Sequence, residues 1–257
     1  MTTRTETRTR STAVRAVAVL FVLIATLALM GLIDLFTLLG WVDQTYVWEV
    51  PLEASWGALF TFFVAGAYVW VGLFPHAPWP GLAQLGITGL ALLLSAPAGR
   101  DWRPSVVALG VAGSAAVLWQ LTGRPPVSFV GRLSLHRAAL TIALLGVPLW
   151  LPYALTAFRR SRAGELGSVT QGIEHWPVQG AVAVALVVAA LVLALWDDGR
   201  PLLRVAVSLS AVYIGMAELA YPDRGGAMGS TLWGVGVTLW GLLIALVALP
   251  RRVPETR

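Results

Sequence analysis

Six residues able to hold or pass a proton stand in or beside long apolar runs: Asp34, Glu49, Glu53, Glu174, His175 and Glu218. Asp34 falls late in the first run, and Glu218 late in another, within Met216-Ala217-Glu218-Leu219-Ala220-Tyr221. Glu49 and Glu53 join the first two runs, and Glu174-His175 immediately precedes Trp176-Pro177. Ionisable groups at membrane depth are costly, so each needs a reason. Carboxylates gathered in a low-dielectric setting compete for protons, and one that stays protonated can act as a donor. The expected site is an outward-facing acidic pocket. Asp34, Glu53, Glu174 and His175 are its ligand-binding groups, with Trp176, Tyr46 and Tyr213 as walls. Glu49 and Glu218 are the proton donors if the protein is an enzyme. The plain alternative for Asp34 and Glu218 is a carboxylate that reaches headgroup water at the interface.

Other chemistries find little support. Glu174 and His175 are adjacent, so they cannot face one metal as i,i+4 ligands would. His76, His136 and His175 lie in three separate loops, which disfavours a bis-histidine haem. No metal site and no cofactor are expected. Cysteine is absent, which removes disulfides, a thiol nucleophile and thiolate metal sites. All 18 basic residues are Arg. Without Lys there is no retinal or pyridoxal Schiff base and no phosphate-binding loop of the Gly-x-x-x-x-Gly-Lys type. Lys and Asn, both missing, share A-rich codons, so a GC-rich prokaryotic genome accounts for the bias.

The elements that must position these residues follow from composition. Hydrophobic residues make up 57% of the 257-residue chain and charged residues 12%; mean hydropathy is +0.76. About 20 apolar residues cross a bilayer, and the sequence supplies that pattern repeatedly. The fold class is all-α: a polytopic membrane protein of about eight transmembrane helices in one bundle, with no soluble domain. Spans are expected near 16–40, 55–74, 81–98, 104–121, 138–158, 177–196, 201–221 and 226–250. A disordered basic arm (residues 1–15) precedes the bundle (16–250), and a short tail (251–257) follows it.

With the N-terminus cytoplasmic in a prokaryotic plasma membrane, twelve Arg lie inside and six outside, as the positive-inside rule prefers. The Arg159-Arg160-Ser161-Arg162 cluster opposes this orientation. Nine of the thirteen acidic residues then gather on the outer side, which is why the pocket is expected there. The net charge of +5 reflects Arg at helix ends, not a nucleic-acid surface. Twelve Trp suit interfacial belts. Gly226, Ser230 and Gly234 predict close helix packing in the last span, and Gly110, Gly113 and Ser114 do so in the fourth. Pro148 and Pro152 predict a kink whose freed carbonyls need other donors.

Two short elements carry a resemblance. Pro51-Leu52-Glu53 resembles the Pro-x-Glu acidic element of membrane lycopene cyclases, with Ala54 where a second acid is usual. Trp48-Glu49, taken with Glu218, is similar to the acid pair of small integral-membrane meroterpenoid cyclases. The resemblance covers a handful of residues and implies carboxylic acids that protonate an alkene or epoxide. Two functions are thus expected. One is a small-solute or lipid transporter, or a subunit of a membrane assembly. The other is a membrane enzyme of acid-initiated chemistry on an isoprenoid or lipid. Expected partners are membrane lipids, a small hydrophobic ligand or other membrane subunits, and no nucleic acid.

Overall fold

The structure is a computed structural model and describes residues 2–36, 49–126, 133–165 and 175–247, with side chains from residue 10 onward. Helix α1 (Thr2–Leu23) runs into a π-helical turn (Ile24–Ala28) and a short α2 (Gly31–Leu35). Helix α3 (Val50–Gly57), a second π-helical stretch (Ala58–Ala65) and α4 (Gly66–Leu73) form one continuous rod. Then come α5 (Trp79–Gly99), α6 (Arg103–Leu121), α7 (Arg137–Arg162), α8 (Trp176–Leu195), α9 (Arg200–Ala220) and α10 (Thr231–Val247). Helix is the form that satisfies every backbone N–H and C=O within one segment, as hydrocarbon demands. Seven of these stretches are long and apolar enough to span a membrane. The eighth expected span, α10, is apolar and runs for 17 residues among those described, about 25 Å at the helical rise. The protein is an all-α helical membrane bundle.

Successive rods alternate in direction, so the bundle has two ends. At one end Ser161 Oγ donates to the Gly99 carbonyl at 2.8 Å, and Gln179 Nε2 donates to Gly226 at 2.6 Å. Asp34, Glu53 and Glu218 belong to this acidic end. At the opposite, arginine end, the His136 N–H donates to Ala194 at 2.8 Å and Arg10 Nε to Leu121 at 2.7 Å. Helix α8 is the centre of the core. It packs against α7, α5, α9 and α3, and most of its length is buried. Its Gly180 admits the Phe158 ring: a Cβ there would lie 2.1 Å from Phe158 Cε1.

Several elements differ from the sequence reading. Helical backbone begins at Thr2, so the basic segment read as a disordered arm continues into the first apolar helix. The first span is interrupted: Met30 takes a left-handed conformation (φ 56°) between the π turn and α2. The last span starts later than expected, because Gly226 (φ 91°) and Gly229 (φ 68°) belong to the loop before it. The close packing predicted there is carried by Gly234, one of the three residues expected, and by Gly241 against α9, where a Cβ at Gly241 would lie 2.9 Å from Ala211 Cβ. Gly110 and Gly113 face open space and pack against no helix, whereas Ser114 pairs with the Tyr68 hydroxyl at 2.6 Å.

Helix α7 passes through Pro148 and Pro152 without a break. The indole N–H groups of Trp233 and Trp240 donate to its carbonyls at Leu149 (2.9 Å) and Ile142 (2.6 Å). The Leu149 acceptor adjoins the Pro148 carbonyl, which Pro152 deprives of a donor, whereas Ile142 lies two residues from Leu144, the carbonyl that Pro148 deprives.

Candidate functional site

Helix α3 organises the acidic end. Pro51 stands in its first turn, where a fixed φ favours helix entry and a missing N–H costs nothing. The N–H of Glu53 then donates to the Glu49 carbonyl at 3.0 Å. Glu53 (5% exposed) and Ser55 (0%) point from α3 into two separate polar groups.

The first group surrounds Glu53. His175 precedes α8, and its Nδ1 lies 3.2 Å from Glu53 Oε1, close enough to pair electrostatically. The imidazole stacks on Trp56, with ring centroids 4.2 Å apart. Trp56 Nε1 donates to the Leu29 carbonyl at 2.7 Å, which ties this stack to the break at Met30. Beyond that break, α2 carries buried Asp34, whose carboxylate repels that of Glu53. Two glycines permit the approach. A Cβ at Gly31 would lie 2.7 Å from Phe60 Cβ, and one at Gly57 would lie 2.9 Å from Leu35 Cδ2. The Tyr213 hydroxyl donates to the Leu35 carbonyl and faces Asp34 electrostatically.

The second group surrounds Ser55. Its Oγ is 2.6 Å from the Tyr153 hydroxyl, which also meets the Gln179 side chain. Gln179 in turn holds the Gly226 carbonyl. Glu218, 1% exposed, accepts N–H groups from Met228 at 2.8 Å and Ser230 at 3.0 Å, with Gly229 adding a third. A carboxylate ringed by N–H donors at the start of α10 suits both the loop and the helix dipole. The loop fits closely over α3: a Cβ at Gly226 would lie 2.3 Å from the Leu52 nitrogen. One at Gly225 would lie 2.6 Å from Glu49 Oε1.

The structure therefore brings Asp34, Glu53, His175 and Tyr213 together and gives Glu218 and Glu49 to the loop beside them. Trp176 is buried but turned elsewhere: its Nε1 donates to Glu165 at 2.9 Å, and the Arg160 guanidinium lies 4.9 Å from its ring centre. Glu174, Tyr46 and Trp48 lie outside the described residues. Among the described residues no three of His, Asp and Glu close into a metal-sized cluster.

The arginine cluster that opposed the orientation has local work. Arg160 pairs with Trp176 and with Glu165 at 3.7 Å, and Arg162 Nε donates to the Ala98 carbonyl.

Sequence reasoning missed Trp56, Ser55, Tyr153 and Gln179. Gln179 was findable, because it is the one amide in an otherwise apolar helix. Trp56 read as an interfacial belt residue, and only the fold turns it onto His175. No protein-family model, curated protein or solved structure shows significant similarity to the chain.

Proposed function

We propose that the protein carries a small solute or a lipid across its membrane and couples that movement to proton binding at Asp34, Glu53 and His175. One observation supports this above others: buried Glu53 pairs with the mostly covered imidazole of His175, Oε1 lying 3.2 Å from Nδ1, with buried Asp34 within electrostatic range of Glu53. Buried ionisable groups of this kind mark ion and substrate pathways in membrane proteins. A proton gained or lost among them changes the balance between attraction to the imidazolium and repulsion between the carboxylates. The neighbouring backbone is suited to respond, because Asp34 follows the break at Met30 and Glu53 precedes a π-helical stretch. The reading places the chain in a prokaryotic plasma membrane with its N-terminus inside and its acidic end outside, on the distribution of arginine. The test uses pyranine-loaded proteoliposomes challenged with a panel of amino acids, sugars and organic cations. At least one compound should drive proton entry, and Glu53→Gln should abolish that entry. Equal proton entry with and without the substitution would sink the proposal.

A second reading has one observation in its favour. Glu53, in the Pro51-Leu52-Glu53 element, pairs with His175, which stacks on Trp56, and an aromatic ring close to an acid suits a carbocation. In an isoprenoid-modifying enzyme the donor would then be Glu53, since the oxygens of Glu218 are engaged with backbone N–H groups. Isomeric products from polyprenyl substrates, lost in Glu53→Gln, would favour this reading over transport.

A further inference from the structure

We propose that one anionic phospholipid binds at the arginine end, with its phosphate between Arg10, Arg15 and His76 and an acyl chain in the trough between α1 and α4. Two adjacent hollows have the required division of chemistry. The first, about 300 Å³, is lined by Arg10, Ser11, Val14, His76 and Thr122. The second, about 510 Å³, is lined by Arg15, Ala18, Val22, Tyr68, Gly72 and Leu73. Val14 and Ala18 are one turn apart on the same face of α1, so the apolar hollow begins where the polar one ends.

The charge is fixed in place. Arg10 Nε donates to the Leu121 carbonyl at 2.7 Å, and Nη2 donates to Gln120 at 3.2 Å. These bonds hold the guanidinium at the end of α6, with five donors in all available to carbonyls and ligand. Among the side chains described, which begin at residue 10, no carboxylate pairs with Arg10 or Arg15. Arg10 opens the first apolar span and Arg15 lies five residues further along it, near the end where an interfacial phosphate would sit.

The trough opens sideways into hydrocarbon. Helix α1 is peripheral and packs mainly on α4; Val19 is 57% and Leu23 49% exposed. The trough floor is shallow because the helices meet closely there, a Cβ at Gly72 lying 3.2 Å from Ala18 Cβ. A cationic rim at the interface above an apolar trough fits a lipid that has an anionic head and an acyl chain. This site is remote from Glu53 and does not depend on the transport reading.

The test is native mass spectrometry of the delipidated full-length protein titrated with phosphatidylglycerol, phosphatidylcholine or inorganic phosphate. One phosphatidylglycerol should bind, with phosphatidylcholine at least about fivefold weaker. Arg10→Gln and Arg15→Gln should each weaken phosphatidylglycerol about fivefold, the factor expected for one arginine at an anionic lipid surface. Val19→Trp, which fills the trough from an exposed position and leaves both charges, should weaken it as well. Equal binding of the two lipids would overturn the proposal, as would wild-type affinity in both Arg15→Gln and Val19→Trp. Displacement of the lipid by phosphate at equal concentration would reassign the pocket to a free anion and also overturn it. If Arg10→Gln does not fold, the other two substitutions decide the matter.

Discussion

Glu218 accepts N–H groups from Met228 and Ser230, whereas Glu53 faces the imidazole of His175 and a second carboxylate. Both acids are buried, but their neighbours give them different work. Charge-assisted hydrogen bonds of the kind Glu218 makes contribute about 1.5–3 kcal/mol. Glu218→Ala should therefore lower unfolding stability in mixed detergent by about 2–3 kcal/mol. Glu218→Gln, which keeps a carbonyl acceptor, should cost less. Glu53→Gln should change the unfolding midpoint less than Glu218→Ala does while removing proton coupling. The reverse pattern would show that Glu53 holds the fold and Glu218 the proton.

Between elements, the turn from α8 to α9 carries a titratable clasp. Asp197, 47% exposed, is held below the usual carboxylate range first by the Ser134 hydroxyl and then by Arg200, with partial burial opposing both. A carboxylate depressed in the folded state contributes its stability above the unfolded value of about 3.9. It loses that contribution as pH falls through the folded value. The contribution is small because the group is half-exposed. Amide exchange at Ser134 and His136, whose N–H groups donate to the Leu195 and Ala194 carbonyls, should accelerate as pH is lowered through 4 toward 3, after correction for intrinsic rates. Ser134→Ala should flatten that dependence.

A sharper test of helix packing lies at the α7–α8 contact, where Gly180 admits Phe158. Gly180→Ala should cost about 1–3 kcal/mol as an overpacked core does. Adding Phe158→Leu should recover part of the loss. Strict additivity of the two costs would count against this packing.

For the whole molecule, alternation of the rods puts Asp223 at one end and Arg124 at the other, both exposed. The chain has no cysteine, so single-cysteine variants report cleanly. In intact cells Asp223→Cys should react with an impermeant maleimide and Arg124→Cys should not. The opposite result would invert the bundle and put the acidic end in the cytosol. The carrier reading takes this orientation, in which protons enter the site from the outer face. In this orientation the lipid at Arg10 comes from the cytoplasmic leaflet.

The solvent and secondary structure were legible in the amino-acid order: long apolar runs and scarce charge demand helices that satisfy their own backbone in hydrocarbon. So were Asp34, Glu53, His175 and Tyr213 as residues out of place in an apolar chain. Their separation from Glu218 was not. Gly31 and Gly57 let α2 lie against α3 and bring Asp34 to Glu53, while the positive φ angles at Gly226 and Gly229 fold a loop onto Glu218. A sequence states how much each side chain costs in lipid. Which neighbour repays that cost depends on contacts between segments far apart in the chain, and those are set only when the helices pack.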